Sequence, residues 1–262
     1  MTKLVSIVAP FYNEEENVRP TWERVVEAMT PLNEFRFEGV FVDDGSTDGT
    51  GRALDELAAR DTRLHAVHFV QNRGQSAALI AGMRAAKGEY VLTIDGDLQN
   101  DPADFPKFLE LLAQYDCVCG VRVNRRDTWV RRVSSRVANR VRNVILRDGI
   151  RDSGCGAKGF RRAVVDHLPC FNGVHRFFAV FVRRAGFSII ECDVRHQPRI
   201  HGVSKYGIHN RLWRGMYDLF GVAWLRKRYV TYEIADNPPA AKAAPGPASE
   251  APARAAAVVK GL

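Results

Sequence analysis

The chain has 262 residues, 46% of them hydrophobic, and a formal net charge of +8. That is enough apolar material to bury the core of one large α/β domain, which excludes a fragment that needs a partner to fold. The excess of cations allows a nucleic acid, an anionic membrane surface or a phosphorylated substrate as partner and does not choose among them.

Short apolar runs alternate with amphipathic stretches over residues 3–121, a pattern that predicts βαβ units and a mainly parallel sheet. Strands are expected at Leu4–Ala9, Gly39–Asp43, Leu64–Phe69, Tyr90–Ile94 and Asp116–Val121. Val18, Trp22, Val25, Val26 and Met29 share one helical face between the first two, and Ala53, Leu54, Leu57 and Ala58 do so between the next two. In such sheets ligands bind at the C-terminal ends of the strands. The first strand ends in Pro10-Phe11-Tyr12-Asn13-Glu14, an aromatic ring and a carboxylate suited to a base and ribose; Glu14 to Glu16 equally suit a helix N-terminus. The second ends in Val42-Asp43-Asp44-Gly45, where both acids lack a local structural explanation. After the third, Asn72-Arg73-Gly74-Gln75-Ser76 opens a helix of small residues, Ala77–Ala86, that permits close packing on the sheet.

The fourth strand runs into Asp95-Gly96-Asp97-Leu98-Gln99. Asp95 and Asp97 leave the sheet on one side, and Gln99 joins them if the extended geometry continues. Two carboxylates and an amide oxygen suit Mg2+ or Mn2+, with diphosphate oxygens completing the shell; a strand-ending turn is the alternative reading. No Gly-x-Gly-x-x-Gly or Gly-Lys-Ser/Thr element follows any strand, so neither a dinucleotide fold nor a P-loop is supported.

PFYNEEEN, VDDGSTDGT, NRGQSAAL and DGDLQNDP, in this order and spacing, resemble the catalytic domain of glycosyltransferase family 2 with its GT-A fold, and within it the dolichol-phosphate mannosyltransferase and undecaprenyl-phosphate glycosyltransferase branch. The resemblance runs from about Val5 to Tyr206. It implies nucleoside contacts at Pro10, Tyr12, Glu14, Val42, Asp44, Gln75 and Asp95, and a metal and diphosphate site at Asp95, Asp97 and Gln99.

Between Gly120 and Arg151 stand ten arginines and only two acids. Trp129 is the sole aromatic there, which disfavours single-stranded nucleic acid as the partner. By the resemblance, Arg122, Ser135 and Arg136 face an acceptor phosphate, joined by Arg199, Ser204 and Lys205 from a basic loop after a strand at Ser188–Val194. Asp152 matches the branch's Asp-x-x-Cys-Gly turn; it orients an arginine or the acceptor, or is a turn residue. His175 and Arg176 open an amphipathic helix, either structural or reaching the sugar.

From Tyr206 to Tyr229 the pattern is helical, with Leu212, Met216, Leu219, Phe220, Ala223 and Trp224 on one face and basic residues around it. This suits a helix in the membrane interface; docking on the protein core is the alternative. Residues 231–262 are Ala- and Pro-rich and expected to be disordered. The division is therefore a catalytic domain, 1–205, an amphipathic segment, 206–230, and a tail. The five cysteines form no disulfide or zinc pattern, Leu4–Ala9 is too short for a signal peptide core, and no run approaches the ~20 apolar residues of a membrane span. A cytoplasmic protein, peripheral on the inner face of the membrane, is expected.

The expected reaction is an inverting, metal-dependent transfer of a sugar from a UDP- or GDP-sugar to a polyprenyl phosphate, with Asp95, Asp97, Arg122 and Asp152 carrying the chemistry. The alternatives are transfer to a glycan or protein hydroxyl, with Asp152 as base, and a non-catalytic basic binding protein.

Overall fold

The structure is a computed structural model that describes residues 2–123, 139–195, 197, 208–228 and 230. Seven strands form one sheet in the order β3-β2-β1-β4-β6-β5-β7. They are β1 (Lys3–Phe11), β2 (Phe35–Asp43), β3 (Leu64–His68), β4 (Tyr90–Thr93), β5 (Cys117–Arg122), β6 (Lys158–Arg161) and β7 (Ile189–Val194). All pairings are parallel except those of β6, which runs antiparallel to both β4 and β5.

The central strands β1 and β4 read as near-continuous apolar runs because both of their faces are covered. Along β1, Val5, Ile7, Ala9 and Phe11 join Trp22, Val25 and Met29 of α1 (Glu15–Met29) and Phe108 and Leu112 of α4 (Phe105–Leu112) in one core. Val8 points the other way, into a core shared with Leu79, Ile80 and Met83 of α3 (Gln75–Ala85). On the first face Leu54 of α2 (Thr50–Arg60) completes the layer. The small residues of α3 have the expected consequence: a Cβ at Gly82 would lie 2.5 Å from Val8 Cγ1.

Several elements differ from the sequence reading. β2 begins at Phe35 rather than Gly39, because Phe35 and Phe37 pack on the core while Glu38 is buried between Ser6 Oγ and Lys87 N, both donors to its Oε1. A search for unbroken apolar runs passes over such a stretch. No strand is expected at Lys158–Arg161, yet these residues form β6, whose Lys158 is 5% exposed and donates its ammonium to the Cys155 carbonyl. His175 and Arg176 belong to a single 3-10 turn, and α7 (Phe178–Arg184) is not amphipathic: Phe178 to Val182 are all buried.

The remaining described helices are α5 (139–146), the four-residue α6 (Arg162–Val165) and α8 (Ile208–Arg228). The chain divides into two compact units, Met1–Tyr229 and Val230–Leu262, and α8 belongs to the first. Its expected single apolar face is split. Leu219 and Val222 enter the core that contains α7, whereas Met216, Phe220 and Trp224 face outward together with Tyr217. No helix among the described residues is long and apolar enough to cross a membrane. The tail expected to be disordered, 231–262, lies outside the described residues.

Candidate active site

The loops that follow β1, β2, β3 and β4 enclose a cleft of about 420 Å3. Pro10, Tyr12, Glu14, Asp44, Gln75, Asp95 and Asp97 line it, together with Phe11, Asn72, Gly74 and Gly96. The parallel register explains the gathering, since Phe11 at the end of β1 sits opposite Asp43 at the end of β2. Val42 is the expected nucleoside contact that does not line the cleft. It is fully buried, and a Cβ on Gly82 of α3 would lie 3.0 Å from its Cγ2.

The two acids of the β2 end have local duties that the sequence did not reveal. Asp43 Oδ1 accepts from Ser46 N at 2.9 Å, closing the turn. Asp44 is 2% exposed and accepts from the main-chain N–H groups of Arg73 (2.7 Å) and Gly74 (2.8 Å) and from Asn72 Nδ2 (2.9 Å). It thereby clamps the β3–α3 loop into the cleft wall. Burial pushes its carboxyl pKa up, against the pull of the Arg73 and Gly74 N–H groups on the charged form. Asn72 and Gly74, missed as site residues, are the other half of this clamp. Glu14 lines the cleft, is the N-cap of α1, and accepts from Asn17 Nδ2 at 2.5 Å.

At the β4 end the extended geometry does not continue. The strand stops at Thr93, and Leu98 has a φ of 62°, so the chain turns between Asp97 and Gln99. Asp97 Oδ1 accepts from Gln99 N at 3.2 Å within that turn. Asp95 Oδ1 accepts from Gln75 Nε2 at 2.7 Å, and a Cβ at Gly156 would fall 2.2 Å from Asp95 Oδ2, so only glycine leaves room for this carboxylate. Among the described residues no three His, Cys, Asp or Glu side chains cluster as a ready metal site. The cleft offers instead the two carboxylates of Asp95 and Asp97, hard oxygens that fit a divalent cation completed by ligand oxygens, while the turn at Leu98 leaves Gln99 outside its lining.

Beyond the cleft, Arg122 at the end of β5 is gripped by Asp152: Nε donates to Oδ2 at 2.7 Å and Nη2 to Oδ1 at 2.8 Å. Burial disfavours the guanidinium charge, but Asp152 outweighs it and raises the pKa; Asp95 acts in the same direction. Among the readings of Asp152, the geometry is that of a group orienting an arginine. The arginine-rich stretch is not uniform: Arg142 is 6% exposed and holds the buried Asp148, while Arg151 pairs with Glu191 on the surface. Ser135, Arg136, Arg199, Ser204 and Lys205 lie outside the described residues.

Residues 6–168 match the family described as glycosyl transferase family 2. The chain belongs to that family. Its GT-A fold is the one expected, and the family makes it a glycosyltransferase. Curated relatives include an undecaprenyl-phosphate 4-deoxy-4-formamido-L-arabinose transferase of Aeromonas hydrophila, 37% identical over 83% of this chain and 67% of its own length. A dodecaprenyl-phosphate galacturonate synthase of Rhizobium johnstonii is 38% identical over 85% of this chain and 67% of its own. The chain thus spans about two thirds of the length of these family members. A mannosyltransferase of Pyrobaculum calidifontis, solved with GDP-Man and Mn2+, shares the fold with a TM-score of 0.62 at 22% identity, covering 86% of this chain and 65% of that one.

Proposed function

We propose that this family 2 glycosyltransferase moves a sugar from a nucleoside diphosphate to a polyprenyl phosphate, with inversion at the transferred carbon. One observation carries the reading: the β1, β2 and β4 ends bring Tyr12, Glu14, Asp44, Asp95 and Asp97 into a single cleft. The relatives named for undecaprenyl- and dodecaprenyl-phosphate support the acceptor class.

Tyr12, Glu14 and the Asp44 clamp hold the base and ribose. Asp95 and Asp97 hold Mg2+ or Mn2+, which when bound neutralises charge developing on the leaving diphosphate; the mannosyltransferase of like fold is solved with GDP-Man and Mn2+. Arg122, fixed by Asp152, positions the acceptor phosphate, and Ser135, Arg136, Arg199, Ser204 and Lys205 are assigned to the same task. A phosphate is already anionic at pH 7 and needs no strong base. The chain's contribution is alignment and charge. Transfer to a hydroxyl is disfavoured because it requires a base, and both oxygens of Asp152 accept from Arg122. We place the chain at the cytoplasmic face of a membrane, with the outward aromatic residues of α8 against the surface; five free cysteines suit a reducing compartment.

The test is nucleoside-diphosphate release from a panel of UDP- and GDP-sugars with Mn2+ and a polyprenyl phosphate. Release that requires both metal and lipid is expected, and Asp97→Ala should lower it by about a thousandfold, the scale on which charge stabilisation at a leaving group acts. Near-normal turnover in Asp97→Ala discards the metal assignment; transfer to a soluble glycan and not to lipid discards the acceptor.

A further inference from the structure

A second recess, of about 450 Å3, is framed by the end of α5, by α7 and by the last turn of α8. Arg147, Arg183, Arg184, Arg226 and Lys227 line it, with Asp148 as the one carboxylate among the lining residues, and none of its residues lines the donor cleft. Asp148 is 1% exposed and its charge is met by Arg142, whose Nε lies 3.1 Å away. Among the described residues that line the recess, the exposed charges are those of the cations.

Two of these cations are held in an informative way. Arg183 Nε donates to the Asp148 main-chain oxygen at 2.8 Å, and Arg226 Nη1 donates to the Leu146 main-chain oxygen. A backbone carbonyl fixes the place of a guanidinium without cancelling its charge, as a carboxylate would. Like charges gathered and oriented in this manner repel one another and are relieved by an anion, for which arginine offers paired N–H groups matched to phosphate.

The source of the anion follows from α8. Tyr217, Phe220 and Trp224 are 82%, 60% and 63% exposed, and Met216 stands beside them. At 3.6 residues per turn these four occupy an arc of roughly 100°, and Lys227 falls inside it. One helix therefore joins a solvent-facing aromatic stripe to the basic recess. Aromatic rings suit the boundary of the acyl region, with cations at the depth of the phosphates.

We propose that this recess binds the phosphate of an anionic phospholipid headgroup while Tyr217, Phe220 and Trp224 enter the bilayer boundary, a site separate from that of the acceptor lipid. The inference rests on the membrane-surface reading and deepens it by naming the lipid class and the residues that read it.

The experiment is co-sedimentation of the full chain with vesicles of phosphatidylcholine alone or mixed with phosphatidylglycerol. Preference for the mixed vesicles is expected. Arg147→Gln combined with Lys227→Gln, both at exposed positions, should weaken partition about 30-fold, at roughly fivefold for each cation withdrawn from an anionic surface. Arg36→Gln with Arg60→Gln, an equal loss of exposed charge away from the recess, should change it less than about twofold by the same scale. A cooperative melt of each double variant establishes that it is folded. Equal binding to both vesicle types, equal loss in the two double variants, or retention by an oligonucleotide that anionic vesicles cannot displace would overturn the proposal. Absence of sugar transfer by the unaltered chain bears on the reaction alone, because partition needs no turnover.

Discussion

Asp152→Asn keeps the shape of the side chain behind Arg122 and removes its charge. Hydrogen bonds to a charged group contribute about 1.5–3 kcal/mol, so the acceptor KM is expected to rise roughly 10- to 100-fold with the donor KM little changed. Steady-state kinetics with each substrate varied in turn decides it; a rise confined to the donor KM would detach Arg122 from the acceptor. Asp44→Ala makes the complementary case on the donor side. It strips the partner from the Arg73, Gly74 and Asn72 donors, and a lost buried acceptor costs about 1–3 kcal/mol per stranded group. Both a lower melting temperature and a higher donor KM are expected, whereas a purely kinetic effect would show that the clamp is not what holds the loop. Asp44 was legible in the sequence as a strand-end candidate; its partners, about thirty residues away on another loop, were not.

Among the elements, α3 shows packing overriding propensity. Alanine is favoured over glycine by about 1 kcal/mol inside a helix, yet a Cβ at Gly82 would press on Val8 Cγ1 and Val42 Cγ2, which are side chains of buried strands. Overpacking costs about 1–3 kcal/mol, so Gly82→Ala is expected to lower stability by about 1 kcal/mol in urea unfolding, and any gain would show that α3 can move off the sheet. The central strands β1 and β4 were readable because their buried stretches, Leu4–Ala9 and Tyr90–Thr93, are short runs dominated by apolar residues. β6 was not, since Lys158–Arg161 carries one large apolar side chain and owes its place to the ladder partners on either side. α8 was readable as a helix but its orientation was not: periodicity gives an apolar arc, and only the neighbour decides which half of the arc is covered.

For the molecule as a whole, His175 links the turn before α7 to the start of α3, its Nδ1 standing 2.7 Å from Ser76 Oγ. Burial, aided by Arg176 and Lys158, lowers its pKa from 6.5 to about 3. The unfolded chain therefore takes up this proton first as the pH falls. The contribution to stability is complete above about 6.5 and is lost progressively toward 3. Urea midpoints at pH 5 and pH 7 should differ less for His175→Gln than for the unaltered chain, and an equal difference would place the acid sensitivity elsewhere.

The sequence by itself determined the parallel α/β architecture, the strand ends that carry Tyr12, Glu14, Asp44, Asp95 and Asp97, and the absence of phosphate-binding glycine loops, because each of these depends on local periodicity or on residue type at a strand end. The tertiary structure alone decided that Asp152 grips Arg122, that Asp44 clamps the Asn72–Gly74 loop, that Val42 faces α3, and that the cations of Arg147, Arg183, Arg226 and Lys227 share one recess. Each of these joins residues remote in the chain, and such pairings are fixed only when the helices close over the two faces of the sheet.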